Sequence, residues 1–229
     1  MAEGGDKPHY HGHRKRMRAK LLDSGPDSFR DYEILEMALW AASPRGDTKP
    51  LAKMLIEAFG DFARVISADP ERLAEVPGIG EAAIAQIKLL DAAAVRLARA
   101  RVMNRNVLSS WQSLIDYCRA SKQYKKTEEF HILFLDRKNV LVADEVQQKG
   151  TVDHTPVYPR EIVKRALQLE ASALIMVHNH PSGDTTPSRA DIDMTKQVLE
   201  AAKAVGVVLH DHLVIGAGEP YSFRSNGLL

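Results

Sequence analysis

The amino-acid sequence predicts two domains: an all-α domain, followed by an α/β domain in which helices flank a single sheet. The chain has 229 residues, 45% of them hydrophobic, which is more than one domain of about 100 to 150 residues needs. In residues 29–101 the apolar side chains recur every three or four positions, the spacing of helices that bury one face. After residue 111, short apolar runs rich in β-branched and aromatic residues alternate with helical patterns, and these runs predict strands.

The helical domain extends over residues 21–103 in this prediction. Gly60 and Asp69 stand where helices should end or begin, because Gly tolerates the backbone of a helix end and Asp caps a helix N-terminus. Residues 101–110 interrupt the apolar spacing with two asparagines and two serines. We therefore place the domain boundary there and assign residues 104–229 to the α/β domain.

Residues 1–20 are polar and basic and offer few apolar side chains to a core, so we expect a flexible arm. The histidines and basic residues from His9 to Lys20 could bind phosphates, although a terminal run of charge is commonly just solvated. Both interpretations stay open at this point.

The α/β domain is predicted from short strands that alternate with amphipathic helices. A short helix begins near Trp111, and Pro159 suits the first turn of a later helix, since proline lacks an amide that this turn would leave unpaired. Two apolar runs around a polar turn predict a β-hairpin. The predicted elements are the hairpin strands 130–135 and 140–146, a helix over 159–170, a buried strand over 173–177, a helix over 188–205 and a strand over 207–215.

The composition argues against several classes of protein. Lys and Arg number 31 against 30 Asp and Glu, so the net charge of +1 gives no global argument for a nucleic acid or an anionic membrane as partner. Cys118 is the only cysteine, which excludes an intramolecular disulfide framework. The sequence shows neither the apolar core of a signal peptide nor an apolar run long enough to cross a bilayer. We therefore expect a cytoplasmic protein without a membrane partner, and we leave its oligomeric state open.

A group of metal-ligand residues follows the predicted strand 173–177. His178 and His180 lie two positions apart, so on an extended segment both imidazoles project from one face. Asp191, on the helix after the intervening loop, could supply a third ligand. Catalytic zinc commonly has three protein ligands and keeps its fourth position for water. The pattern therefore predicts one zinc ion per chain, in an open site that suits hydrolysis.

Two alternatives to Asp191 and one structural interpretation remain open. Asp184 follows a flexible Ser-Gly pair, whereas Asp193 lies about 200° further round the helix than Asp191 and cannot share its face. The spacing from Ser188 to Asp191 is also that of a helix N-cap, and the two roles are compatible.

A second His-x-His motif runs from His210 to His212 beside another predicted strand. Because no Ser-x-x-Asp pattern follows it, a structural role is favoured over a second metal site. We expect His212 to hydrogen-bond to one of the metal ligands, as partners of ligating histidines do.

The stretch HNHPSGDTTPSRAD, residues 178–191, resembles the zinc signature of the JAMM (MPN-plus) metalloproteases. Together with ADEVQQKGTVDHTPVYPREIVKRAL and PRGDTKPLAKMLIEAFG, it resembles the bacterial RadC family over nearly the whole chain. The resemblance implies a cytidine-deaminase-like JAMM/MPN sheet flanked by helices. It also implies a zinc metallohydrolase that cleaves a peptide, isopeptide or related amide bond, with a protein or peptide as substrate.

The same resemblance assigns two catalytic roles. Glu145 takes the position of the JAMM glutamate, the general base that moves a proton from the zinc-activated water to the leaving amine. Ser188 would hydrogen-bond the carbonyl oxygen as negative charge develops on it. Asp144 must face the other side of the strand from Glu145, and we expect it to be an exposed carboxylate.

The segment Val76-Pro77-Gly78-Ile79-Gly80 resembles the turn of a helix-hairpin-helix motif. In such motifs the backbone amides of the turn hold a DNA phosphate, which here would involve Gly78, Ile79 and Gly80, with Lys88 as the nearby cation. Glu81 places a negative charge beside this turn, and many such hairpins only pack against other helices. The alternative function is therefore a DNA-associated, RadC-type repair or recombination accessory protein.

Overall fold

The computed structural model of the chain describes residues 12–103, 105–150 and 157–229, apart from the side chains of residues 148–150. It divides into two compact units, Met1–Ala92 and Ala93–Leu229. The boundary predicted after residue 103 stays a prediction. Among the described residues, no helix is long and apolar enough to cross a membrane.

The first unit is built of helices, as the apolar spacing predicts. Gly60 ends one helix with a φ of 103°, and the Asp61 side chain caps the next by accepting a 2.7 Å hydrogen bond from the Arg64 amide. Leu35, Leu55 and other fully buried aliphatic side chains form its core. Its helices are α1 (His13–Ser24), α2 (Asp31–Leu39), α3 (Lys49–Phe59), α4 (Phe62–Ser67), α5 (Pro70–Ala74) and the first half of α6 (Glu81–Val102), which continues past Ala92 into the second unit, with a 3-10 turn at Pro26–Ser28.

Part of the predicted flexible arm is an ordered helix. Residues 13–20 belong to α1, whereas residues 1–11 lie outside the described residues. Met17 is buried, and the Arg14 guanidinium donates hydrogen bonds to three backbone carbonyls, including that of Ser43 at 2.7 Å. The flexibility of residues 1–20 stays a prediction, but the structure gives residues 13–20 a helical backbone and further partners, among them Glu36 at 2.8 Å from His13 and the Trp40 ring below Arg18.

The second unit confirms the predicted α/β class. Its sheet has the strand order β2-β1-β3-β4-β5, in which β3 and β4 run parallel and the other neighbours antiparallel. The short β5 was not predicted. The elements are α7 (Trp111–Lys122), β1 (Glu128–Leu135), β2 (Leu141–Gly150), α8 (Pro159–Gln168), β3 (Ala173–Asn179), α9 (Arg189–Ala204), β4 (Val208–Ile215) and β5 (Tyr221–Ser222).

The sheet is covered on both faces, which makes β3 a buried strand. Ile175 and Val177 pack in the apolar cluster that includes residues of α7. Leu174 and Met176 pack in the opposite cluster, with residues of α8 and α9. Because side chains alternate along a strand, His178 projects from the same face as Leu174 and Met176, towards α9.

The side chain of Asp144 is only 6% exposed and lies on the α7 face of the sheet, so its prediction as an exposed carboxylate is wrong. Its carboxylate accepts a 2.5 Å hydrogen bond from the Tyr117 hydroxyl and lies 2.8 Å from His131 Nδ1. The ammonium of Lys122, itself only 1% exposed, lies 3.5 Å away. Alternation along β2 correctly predicts the side to which Asp144 points, but not that α7 supplies polar partners there.

We predict that Asp144→Asn lowers the free energy of unfolding at pH 7 by about 3–5 kcal/mol, because it leaves the Lys122 charge buried without its counter-charge. Burial alone would raise the pKa of Asp144, but the hydrogen bond from His131 and the charge of Lys122 outweigh it and hold the pKa below its ordinary value. The stabilisation is therefore present above the ordinary carboxyl pKa of about 4 and is lost as the pH falls below it.

Urea unfolding of both proteins at several pH values measures this effect. The difference between wild type and variant should narrow as the medium is acidified. The control is Asp116→Asn, on the same helix as Lys122 but exposed, which should change stability by less than about 0.5 kcal/mol. An equal effect of the two substitutions at pH 7 would contradict the assignment.

Candidate metal centre

Two histidines converge at the end of the buried strand β3. His178, the penultimate residue of β3, is fully buried. Beyond the strand, the His180 amide donates to the Ile215 carbonyl at 2.8 Å, which extends the pairing with β4. The two imidazoles therefore project from one face, and their Nε2 atoms lie 2.9 Å apart.

Asp191 reaches this pair from the first turn of α9. Ser188 caps the helix, since its Oγ accepts a 3.1 Å hydrogen bond from the Asp191 amide, while the Asp191 carboxylate accepts a 2.7 Å bond from the Ser188 amide. The cap holds the carboxylate beside the histidines. Its oxygens lie 3.4 Å from His178 Nε2 and 3.6 Å from His180 Nε2.

The three side chains fit a metal ion. Within the described part of the chain, His178, His180 and Asp191 form one group whose ligand atoms all lie within 4.8 Å of one another. A tetrahedral zinc with bonds of about 2.0–2.2 Å separates its ligand atoms by about 3.3–3.6 Å. The two nitrogen–oxygen distances, 3.4 Å to Oδ1 and 3.6 Å to Oδ2 of Asp191, agree with that range. The Nε2–Nε2 distance of 2.9 Å is shorter, so the two imidazoles would have to separate by a few tenths of an ångström to hold the ion.

The hydrogen bonding of His180 prepares its Nε2 as a ligand atom. Its Nδ1 lies 2.7 Å from the Asp184 carbonyl oxygen, which can only accept, so Nδ1 carries the hydrogen. The lone pair of the neutral ring is then on Nε2, which faces Asp191. Asp184 thus contributes its backbone, while its carboxylate accepts from the Thr186 amide at 2.9 Å. Neither Asp184 nor Asp193 belongs to the three-residue group.

The charge of the group favours a cation. The contact with Asp191 raises the pKa of His180, and the charge of Glu128 adds to this effect. Burial alone would raise the pKa of Asp191, but its contacts with His178 and His180 hold that pKa below its ordinary value. Asp191 is therefore an anion that favours positive charge beside it, and a metal ion bound between Asp191 and the two histidines would supply that charge.

His212 lies behind His178, where the sequence places a hydrogen-bonding partner for a ligand. Its Nε2 is 2.8 Å from His178 Nδ1, and its Nδ1 is 2.7 Å from Thr195 Oγ1. Burial lowers the pKa of His212 well below its ordinary value, so this ring is neutral. Rings of Phe130 and Phe223 stack on His178 and His212 with centroid distances of 5.8 and 4.5 Å, which keeps both imidazoles in place. Sequence reasoning did not identify Thr195, although its position one helical turn after Asp191 is the signal.

The two residues assigned to catalysis have other partners in the structure. Glu145 is on the same sheet face as His178, but the Arg165 guanidinium holds its carboxylate in a bidentate pair, with Nε at 2.8 Å and a terminal nitrogen at 2.5 Å. The Ser188 hydroxyl donates to the Asp191 carboxylate at 2.6 Å. The catalytic roles of Glu145 and Ser188 stay predictions.

Glu128 is a carboxylate that the sequence reasoning missed. It is the first residue of β1 and lies two positions before Phe130, which pairs with His178, so it projects from the same face at the same end of the sheet. It is half-buried, and its charge acts on His180. The signal in the sequence was the alternation back from Phe130, which selects Glu128 rather than Glu129 for this face.

The helix-hairpin-helix turn of the first unit has the expected backbone. Gly78 has a φ of 82°, and the Ile79 amide donates to the Val76 carbonyl at 3.3 Å within the turn. Lys88 is engaged elsewhere, since its ammonium donates to the carbonyls of Ile66 and Ala68 and to Asp91 at 2.8 Å. A phosphate contact would thus depend on the turn that Gly80 ends rather than on Lys88, and the predicted DNA contacts stay predictions.

Comparison with known proteins finds similarity in both parts of the chain. Residues 108–228 match the model of a RadC-like JAB domain, and residues 49–90 match that of a SAM-like helix-hairpin-helix tandem. A UPF0758 protein of Rhodobacter capsulatus is 60% identical over 213 residues, 93% of this chain and all of that protein. One from Ruegeria pomeroyi is 57% identical over 217 residues, 95% of this chain and 97% of that protein.

We predict that Asp191→Asn weakens zinc binding by at least about 100-fold, since loss of even an indirect partner of a ligand costs 10- to 100-fold. Asp184→Asn should leave the zinc affinity essentially unchanged, because only the backbone carbonyl of Asp184 contacts His180. Competition with a chromophoric chelator measures both affinities, and His178→Ala serves as the reference for a lost ligand. Strong binding by Asp191→Asn together with weak binding by Asp184→Asn would exchange the two assignments.

Proposed function

Because the chain belongs to the RadC family, we propose that it is a zinc-dependent metallohydrolase that cleaves a peptide, isopeptide or related amide bond. The observation that carries the proposal is the convergence of His178, His180 and Asp191 at the ends of β3 and α9. Two imidazoles and one carboxylate are a donor set typical of catalytic zinc, and three protein ligands leave one position open.

A zinc ion held by these ligands would lower the pKa of a bound water towards about 7 and polarise a carbonyl group. The protein residues would position the substrate, exclude water and supply hydrogen bonds. Asp191 and the two histidines fix the position of the reaction, and the stacked rings behind His178 exclude water from that side. Ser188, exposed at the mouth of the site, supplies a hydroxyl that can turn from Asp191 towards the substrate carbonyl oxygen.

In this proposal Glu128, rather than Glu145, transfers the proton to the leaving amine. The support is electrostatic and geometric, because Glu128 shares the sheet face of His178 and its charge acts on His180. Glu145 would first have to leave the bidentate pair with Arg165. A general base must lie within hydrogen-bond reach of the proton that it moves.

The test of the proposed function is cleavage of a mixed peptide library and of lysine-isopeptide-linked peptides by the zinc-loaded full chain, with new termini detected by mass spectrometry. We predict that Glu128→Gln lowers kcat by about 10²- to 10⁴-fold while the zinc stays bound. Glu145→Gln should lower stability through the loss of its Arg165 pair and leave kcat close to that of the wild type.

Cleavage must disappear in His178→Ala, which controls for contaminating proteases. If the zinc-loaded wild type cleaves no more than His178→Ala, the hydrolase proposal fails. If Glu145→Gln abolishes turnover and Glu128→Gln does not, the glutamate assignment is reversed and the hydrolase proposal stands.

A second candidate function, DNA binding, is favoured by the helix-hairpin-helix tandem match over residues 49–90. These residues include five Lys or Arg and six Asp or Glu, so side-chain charge gives this segment little attraction for phosphates. Any binding would depend on backbone amides of the turn at Gly78 to Gly80. We therefore propose a weak, sequence-independent contact with only one or two phosphates.

For this contact we predict at most a shallow salt dependence, with a slope of log K against log salt no steeper than about −1 on duplex DNA, because backbone amides carry only a partial positive charge and release few counterions. Gly80→Asp should weaken binding, because it adds a negative charge to the turn at a position where, among the described residues, no heavy atom lies within 4 Å of a new Cβ. Fluorescence anisotropy with the full chain measures both. Lys88→Met, which removes a cation already engaged by Asp91, is the matched control and should leave the slope unchanged. Full affinity in Gly80→Asp, or a slope steeper than about −2, would contradict a phosphate contact made by the backbone amides of this turn.

A further inference from the structure

Thr195 forms the far end of a hydrogen-bonded chain that leads to the metal centre. Its side chain is only 1% exposed and lies on α9, one turn after Asp191. Oγ1 is 2.6 Å from the Asp191 backbone carbonyl and 2.7 Å from His212 Nδ1. Thr195 therefore contacts the backbone of one metal ligand and, through His212, approaches another.

The positions of the hydrogens along this chain follow from the donors and acceptors. A backbone carbonyl can only accept, so the single hydroxyl hydrogen of Thr195 points at the Asp191 oxygen. Oγ1 must then accept from His212, which places the hydrogen of His212 on Nδ1. With that hydrogen on Nδ1, His212 Nε2 is left as the atom that can accept a hydrogen bond from His178.

The hydrogen bond between His212 and His178 determines which nitrogen of His178 carries its hydrogen. His212 Nε2 lies 2.8 Å from His178 Nδ1, so an acceptor at His212 requires that His178 donates from Nδ1. The lone pair of His178 is then on Nε2, 3.4 Å from Asp191. In the zinc-free chain the 2.9 Å contact between His178 Nε2 and His180 Nε2 takes its hydrogen from His180, which then carries hydrogens on both ring nitrogens, and a metal ion would take the place of that hydrogen. This is the tautomer that a metal ligand at this position needs.

The opposite arrangement shows why the Thr195 hydrogen decides the outcome. If the hydroxyl donated to His212 Nδ1, the His212 hydrogen would move to Nε2 and be donated to His178 Nδ1. The His178 hydrogen would then occupy Nε2, and the ring could not bind a cation between itself and Asp191. The Asp191 carbonyl, held one turn earlier in α9, prevents this by accepting the Thr195 hydrogen.

We propose that Thr195 is a positioning residue which, through His212, fixes His178 as the Nδ1–H tautomer and so keeps its Nε2 available for the metal. The inference rests on the proposed zinc site, but the two residues that it adds, Thr195 and His212, do not contact the metal position. Asp191 contributes twice, since its carboxylate faces the metal position while its carbonyl orders the chain of hydrogen bonds behind His178.

The experiment combines zinc affinity with a direct measurement of the tautomer. Long-range ¹H–¹⁵N correlation spectra of the zinc-free full chain distinguish a ring with its hydrogen on Nδ1 from one with its hydrogen on Nε2, and His178→Ala identifies the signals. Thr195→Val keeps the side-chain shape and removes the hydroxyl, whereas Thr195→Ser keeps the hydroxyl. Thr48→Val is the matched control, because Thr48 is also buried and donates to a helix carbonyl, that of Glu36, in the first unit.

We expect the wild type and Thr195→Ser to show the Nδ1–H tautomer of His178. Thr195→Val should show a mixture or the Nε2–H form and bind zinc about 10- to 100-fold more weakly, while Thr48→Val binds as the wild type does. The wild-type spectrum tests the proposal even if a Thr195 variant does not fold. An Nε2–H form of His178 in the wild type overturns the proposal. So does an equal loss of zinc affinity in Thr195→Ser and Thr195→Val, because a packing defect would then explain both.

The outcomes separate this inference from the proposed function. If the wild type binds no zinc but the His178 tautomer still changes in Thr195→Val, the series of hydrogen bonds from Thr195 to His178 is supported and the zinc site is rejected. If Thr195→Val changes neither the zinc affinity nor the His178 tautomer, the proposed role of these hydrogen bonds is rejected and the proposed zinc site is unaffected.

Discussion

The parallel pairing of β3 with β4 is the constraint on which the rest of the site depends. The register places Met176 beside His212 and His178 beside Val214, and the His180 amide continues the ladder to Ile215. One pairing therefore brings three histidines from two distant parts of the chain to the same end of the sheet. A shift of one residue would turn the side chains of either strand to the opposite face, and the site would be lost together with the two apolar clusters.

The start of α9 adds a carboxylate in direct contact with the imidazoles of His178 and His180, and it does so through ordinary helix capping. The Asp191 carboxylate accepts from the Ser188 amide, which fixes its rotamer, and the same carboxylate faces His178 and His180. A cap and a metal ligand make compatible demands, since both need a carboxylate held at a helix N-terminus. This is why the Ser-x-x-Asp spacing supports a structural and a functional interpretation at once.

Features that depend on the spacing of apolar residues could be predicted from the sequence. Features that depend on which helix packs over a face of the sheet could not. Apolar spacing predicted the helical character of residues 29–101 but not most of α1, and apolar runs predicted four of the five strands. Alternation predicted the direction of Asp144 but not its burial against Tyr117, because no pattern in β2 reports which helix lies over it. For the same reason the Arg165 partner of Glu145 was not foreseen, whereas Glu128 was overlooked although alternation back from Phe130 would have selected it.

The residue between the two histidines shows how the opposite face of the sheet contributes to the site. Asn179 points away from the metal position and is 1% exposed. Its side-chain oxygen accepts from the Glu129 amide at 2.9 Å, and its nitrogen donates to the Thr127 carbonyl at 3.1 Å. Both partners flank Glu128 directly. The backbone on either side of Glu128 is thereby tied to the segment that carries His178 and His180, and the tie is made on the face of the sheet opposite to the two imidazoles.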